Sequence, residues 1–268
     1  MSSTTVQTLR LAVLGMGEAG SAIAADLVAV GVHVRGYDPR GAALPGVEET
    51  GSEAEAAVGC DLVLSVNSAA DSADALRAGL AGTAPGCVWA DLNTASPALK
   101  RRLGRIAGDA GIAFADVSLM ATVPGRGLYA PMLVSGAGAR RYADLLGPLR
   151  ANVDVLDGPA GLAAERKLLR SVFYKGLAAA VVEALDAARA AGCEDWLREI
   201  IAEELTRADA TTLSRLVEGS HRHAVRRTAE MQAAADMLGD LDVPPLMATA
   251  TRELLHRLSH GCAPSGPR

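Results

Sequence analysis

Two apolar rhythms alternate along the first 156 residues. Short, mostly apolar runs at residues 9–14, 32–37, 62–66, 87–91, 112–117, 131–135 and 153–156 read as strands, the more continuous ones suiting strands covered on both faces. Between them, apolar residues recur at helical spacing after residue 20 and over 52–58, 68–80, 96–110 and 139–150; Ser96 and Pro97 supply an N-cap and a first helical residue. Repeated strand and helix units of this kind predict a doubly wound parallel sheet. At residues 157–161 the pattern changes, and over 162–191 there is no proline and a single glycine, as in one long helix. The chain therefore divides into an α/β part, residues 1–158, and an all-α part, residues 159–268, that begins with a long interdomain helix at about 160–191. Further helices follow, with breaks near Gly219, Gly239 and Pro244-Pro245, and a disordered tail is expected from about residue 261. No fixed internal repeat is present.

The first strand runs into Gly15-Met16-Gly17-Glu18-Ala19-Gly20 and the helix opens directly behind it. In this strand, turn and helix setting Gly15 turns the chain, Gly17 lets a pyrophosphate reach the backbone, and Gly20 lets helix and strand pack closely. The helix N-terminus offers unpaired N–H groups and a favourable dipole to the phosphates. The second strand ends at Asp38, close to the spacing of roughly 20 residues expected for a ribose-binding carboxylate. A Rossmann-type domain that binds NAD is the expectation, with NADP as the other option because Arg40 stands two residues beyond Asp38. The cofactor side would comprise Gly15, Met16, Gly17, Glu18, Ala19, Gly20, Asp38 and Arg40, then Val66 and Asn67 after the third run and Asn93 and Thr94 after the fourth. A methyltransferase shares the glycine turn and the acidic residue after the second strand, so binding tests with nicotinamide nucleotides and S-adenosylmethionine separate the two.

Composition narrows the class. The 268 residues are 50% hydrophobic but only 3% aromatic, so the core must be built from Ala, Val and Leu, which suits close helix packing. With 26 Lys and Arg against 31 Asp and Glu, the net charge of -5 argues against a nucleic-acid partner. The four cysteines form no CxxC pair or disulfide framework, no metal-ligand cluster stands out, and neither a leader nor a membrane-spanning run is visible, so a cytoplasmic protein is expected.

The chain resembles the β-hydroxyacid dehydrogenases, which include 3-hydroxyisobutyrate and 6-phosphogluconate dehydrogenases. The resemblance runs from Gly15-Met16-Gly17-Glu18-Ala19-Gly20 through Asp91-Leu92-Asn93-Thr94 and Asp116 to Gly161 and Lys167. It implies a dinucleotide domain, a long interdomain helix bearing a catalytic lysine, and a helical C-terminal domain that often forms homodimers. Lys167 stands at the lysine position. Three departures mark a divergent branch: Asn93 replaces the serine of the Asp-x-Ser-Thr segment, Ser118-Leu119-Met120-Ala121-Thr122 stands in the region of the Ser-Gly-Gly loop, and Ser171 stands where an asparagine is usual.

Lys167, Arg170, Ser171 and Tyr174 share one helix face, with Lys175 beside them, either as a solvated stripe or as a substrate-facing set. Partial burial and the like charges of Arg170 and Lys175 would both disfavour the Lys167 ammonium, as proton transfer at neutral pH requires. Met120, Ala121, Thr122 and Arg126, in the connection after Asp116, are further substrate-side candidates; Met120 and Ala121 favour a bulkier or less charged substrate. His221-Arg222-His223 with Arg226 and Arg227 reads as an exposed basic face, or as an anion site reached across a dimer interface. The expected activity is hydride transfer between a nicotinamide and a small hydroxy acid or related carbonyl compound. An imine reductase and a non-catalytic dinucleotide sensor are the alternatives.

Overall fold

The computed structural model describes residues 9–261, and the tail expected beyond Gly261 lies outside them. The chain forms two compact units, Met1–Arg170 and Ser171–Arg268.

The first unit is built on one eight-stranded sheet. Its strands are β1 (Arg10–Leu14), β2 (His33–Tyr37), β3 (Val47–Glu49), β4 (Leu62–Ser65), β5 (Val88–Asp91), β6 (Ala113–Leu119), β7 (Met132–Ser135) and β8 (Val153–Val155). They lie in the order β3-β2-β1-β4-β5-β6-β7-β8, so the winding reverses between β1 and β4. Helix α1 (Glu18–Ala29) follows β1, α2 (Glu53–Ala57) precedes β4, α3 (Ser72–Leu80) and α4 (Pro97–Asp109) flank β5, and α5 (Ala139–Leu146) links β7 to β8.

Both faces of the sheet are covered. On one, Ile23, Ala24 and Leu27 of α1 and Tyr142 and Leu146 of α5 pack on Leu11, Val13, Leu64 and Val117. On the other, Ala56, Ala57, Leu76, Leu103 and Ala107 from α2, α3 and α4 enclose Ala12, Leu14, Val63 and Trp89. The central strands β4 and β5 are buried at every residue, which is why they read as unbroken apolar runs. Ser96 caps α4 as expected, its side chain accepting from Leu99 N.

The sheet departs from an all-parallel arrangement at one place: β7 runs antiparallel to β6. Residues 120–131 contain a 3₁₀ turn, Gly127–Tyr129, but no crossover helix, and Met120 N extends the ladder to Pro131 O at 2.7 Å. A chain that returns without a crossover can pair only antiparallel.

The second unit takes in the later part of α6 (Leu162–Ala190), then α7 (Glu194–Arg207), α8 (Ala210–Arg222), α9 (Ala224–Asp240) and α10 (Leu246–Ser259). Glu183 of α6 accepts Met247 N and Ala248 N, and so caps α10. Gly219 does not break the chain, because it lies inside α8. The interruptions fall instead at His223 and at Asp209, whose side chain accepts Thr212 N in a capping box. Among the described residues no helix is long and apolar enough to cross a membrane.

Candidate active site

Gly15 ends β1 with φ of +93°, and a Cβ there would fall 2.7 Å from Asn67 N and Val66 O. Only glycine permits this turn to lie against the end of β4. A Cβ on Gly20 would stand 1.8 Å from Gly15 O, so the first turn of α1 rests directly on the glycine turn. Gly17 is different. A Cβ built on it meets nothing within 4 Å, and no side chain among the described residues caps the helix end that it begins. Open space and uncapped N–H groups at a helix N-terminus suit a pyrophosphate. Met16 donates its N–H to Asp38, Glu18 stands exposed in the first turn of α1, and Ala19 packs toward the core.

Asp38 is 9% exposed and closes the turn from the β2 side. Its Oδ2 accepts Met16 N and its Oδ1 accepts Arg40 N, both at 2.9 Å, while Arg40 Nε lies 3.4 Å from Oδ1. Burial opposes the charge, but the hydrogen bonds from Arg40 and Met16 outweigh it and hold the carboxyl below its ordinary pKa.

A cleft of about 320 Å³ opens beside β1 and β4, the switch point where such sheets bind ligands. Gly15, Gly17, Asp38, Arg40, Val66 and Asn67 line it. So do Tyr37, Pro39, Glu53, Ser68 and Asp71, which sequence reasoning did not single out. Glu53 and Asp71 sit at the starts of α2 and α3, whose packing on the sheet no local pattern reveals. A larger open cavity, about 940 Å³, is lined in the second unit by Thr228, Gln232, Arg252 and His256 and contains none of the expected site residues.

Beyond β5, Asn93 Nδ2 reaches Asn67 Oδ1 at 2.7 Å and Asp91 Oδ2 at 2.8 Å. Thr94 is exposed, and its Oγ1 accepts a hydrogen bond from Lys167 Nζ at 2.9 Å. Two expected site residues, 73 positions apart, are thus in contact. Lys100 was missed, although it shares the helix face of Leu103 and Ala107 and is, like them, fully buried. A lysine in register with an apolar stripe was the available signal.

Met120 and Ala121 are partly buried at the end of β6, while Thr122 and Arg126 are exposed. The loop that carries them is anchored to α1 by Leu128 N donating to Asp26 Oδ2 at 2.9 Å. On α6, Arg170 is exposed in the first unit; Ser171, Tyr174 and Lys175 belong to the second, where the Phe173 and Tyr174 rings meet edge to face at 5.6 Å. The His221 to Arg227 cluster spans the junction of α8 and α9 rather than a single helix. Its arginines engage their own unit: Arg222 with Glu218, Arg226 with Glu230, and Arg227 with Ser220 Oγ.

Residues 10–139 match the family described as the NAD binding domain of 6-phosphogluconate dehydrogenase, and residues 188–258 match a domain of unknown function, DUF1932. An uncharacterized 28.5 kDa protein of Methanothermus fervidus is 24% identical over 171 residues, which cover 64% of this chain and 66% of that protein. A conserved protein of unknown function, whose structure was described as similar to 3-hydroxyacid dehydrogenases, is 28% identical with a TM-score of 0.61; the match covers 95% of this chain and all of the other. The reductive aminase of Aspergillus terreus, solved with NADPH and ethyl levulinate, is 20% identical with a TM-score of 0.76 over 95% of each chain. Residues 10–139 are therefore an NAD(P)-binding domain of the 6-phosphogluconate dehydrogenase type, and the chain shares its fold with a protein described as similar to 3-hydroxyacid dehydrogenases.

Proposed function

We propose that the protein is an NAD(P)-dependent oxidoreductase acting on a small hydroxy acid or a related hydroxy or carbonyl compound, with Lys167 as general acid and base. The contact between Lys167 Nζ and Thr94 Oγ1 carries this reading. It sets an amine beside the Asn93-Thr94 segment, whose other side chain bonds Asn67 at the nucleotide cleft. The nicotinamide, when bound, accepts or supplies the hydride. The glycine turn and the α1 N-terminus would hold the pyrophosphate, and Asp38 the adenosine ribose, with NAD preferred because Asp38, Glu53 and Asp71 outnumber Arg40 around the cleft. In oxidation the substrate hydroxyl loses its proton to the Lys167 amine as hydride leaves the same carbon; in reduction the ammonium returns the proton. Met120, Ala121 and Thr122 would shape the substrate side, and Arg126, Arg170, Ser171, Tyr174 and Lys175 are its polar candidates.

A second reading, imine reduction, draws on the fold shared with the imine reductases of Streptomyces aurantiacus and Myxococcus stipitatus. A panel of hydroxy acids, sugar acids, ketones and imines, run with both cofactors and followed at 340 nm, decides between them. Turnover of hydroxy compounds supports the first reading and turnover of imines alone the second. Binding without any turnover makes the protein a sensor.

We also propose a homodimer. In the second unit Val172, Phe173, Trp196, Leu213 and Leu216 are each more than half exposed, and neither α7 nor α8 buries a residue within the chain. Apolar exposure on this scale calls for a partner surface. Light scattering at twice the chain mass is the expected result.

A further inference from the structure

Inside the first unit, one fully buried ammonium lies between two fully buried carboxylates. Lys100 Nζ donates to Asp91 Oδ1 at 2.6 Å and to Asp91 O at 2.7 Å, and lies 3.3 Å from Asp116 Oδ1. The two carboxylates lead in different directions. Asp91 Oδ2 accepts Asn93 Nδ2, which also bonds Asn67 at the cleft and immediately precedes Thr94. Asp116 Oδ2 accepts Gly161 N at 2.9 Å and Ala164 N at 3.1 Å, and is bonded by Ser135 Oγ at 3.2 Å; Ser135 Oγ in turn accepts Ala163 N at 3.0 Å. The first turn of α6 is thereby bound to β6 and β7, one turn before Lys167.

The contact between Lys167 and Thr94 therefore has both ends fastened to the same ammonium. One path runs through Asp91 and Asn93 to Thr94, and the other through Asp116 and the first turn of α6 to Lys167. We propose that Lys100 is a positioning residue that holds these two segments in register and so sets the distance between the Lys167 amine and the Thr94 hydroxyl. The inference rests on the reading of Lys167 as the proton-transfer residue. A buried ionic cluster gains little stability over apolar residues of similar volume, because desolvation offsets the attraction, but it admits few alternative geometries. Placement to a fraction of an ångström is what proton transfer demands.

The test uses the full chain and reads Lys167 itself. Acetylation by acetic anhydride is followed across pH by peptide mass spectrometry in wild type, Asp116→Asn, the uncharged triple variant Asp91→Asn/Lys100→Met/Asp116→Asn, and Thr94→Val as the reference for a lost contact. Asp116→Asn leaves the pairing of Lys100 with Asp91 intact, and the triple variant leaves no buried charge unpaired, so at least one is expected to fold by circular dichroism. In each folded variant the pH profile of Lys167 acetylation is expected to move to that of Thr94→Val, with the rate at pH 7 changed at least about 3-fold, while Lys175 reacts as in wild type. A Lys167 profile that overlays wild type in either folded variant overturns the proposal. Labelling reports the surroundings of Lys167 whether or not it is catalytic, so this outcome is separate from the effect of Lys167→Ala on turnover.

Discussion

Asp38 Oδ2 accepts Met16 N at 2.9 Å, so the carboxylate that ends β2 also holds the shape of the glycine turn. Asp38→Asn keeps the volume but removes the charge and one acceptor. The affinity for NADH is expected to fall about 10-fold, and the ratio of NADH to NADPH affinity to fall by about the same factor. Fluorescence titration with both nucleotides measures this; an unchanged preference would assign the choice of cofactor to Glu53, Asp71 or Arg40.

The same carboxylate gives a pH dependence. Its pKa in the folded protein lies below the ordinary value for an aspartate, so the stability it contributes is present above that ordinary value and is lost as pH falls through the folded value. Wild type should therefore melt above Asp38→Asn at pH 7, and the two melting curves should converge as the pH drops below about 4. Thermal shift in matched buffers follows the convergence. A gap that does not narrow at all as the pH falls would mean that packing, not charge, explains the difference.

Lys167→Ala is expected to lower kcat by a factor on the order of 10² to 10⁴ on whichever substrate the panel identifies, with NADH binding nearly unchanged. Steady-state kinetics alongside a cofactor titration separates the two effects. Near-normal kcat removes Lys167 from the chemistry and directs attention to Tyr174 and Lys175.

Gly79 in α3 faces the ring of Trp89, and a Cβ there would stand 2.4 Å from it. Alanine ordinarily favours a helix by up to about 1 kcal/mol over glycine. Here overpacking against a fully buried indole should prevail, and Gly79→Ala is expected to destabilise the first unit by about 1–3 kcal/mol. Urea unfolding followed by Trp fluorescence reads the change, and a stabilised variant would show that the indole has room to move.

Burial pushes the Cys60 thiol up to about 11 and the Cys87 thiol up to about 12. Because the thiolate is the nucleophile, both should resist iodoacetamide at pH 8 in the folded protein and react fully in guanidinium. Peptide mapping after timed alkylation checks this; fast labelling of the native protein would reveal local opening near β4 and β5.

Much of the site was legible from local pattern, because its determinants are local. A strand that runs into Gly15-Met16-Gly17 and opens a helix needs only neighbouring residues to specify its glycine turn, and Ser96-Pro97 marks a helix start for the same reason. Lys167 became a candidate through resemblance, since its face on α6 reads equally well as a solvated stripe. Periodicity reports which residues are covered, not what covers them. It therefore missed the reversal of β7, which depends on the absence of a crossover helix after β6, and the entry of Glu53 and Asp71 into the cleft, which depends on where α2 and α3 pack.

The sequence by itself determined every strand but β3, the glycine turn between β1 and α1, and the change to an all-helical chain, each encoded within a few residues of where it acts, whereas the three-residue β3 carries no apolar run of its own. Only the tertiary structure decided that Thr94 meets Lys167 and that Lys100 stands between Asp91 and Asp116. Those contacts join β5, α4, β6 and α6, and burying an ammonium is tolerable only where folding delivers carboxylates to it from distant parts of the chain.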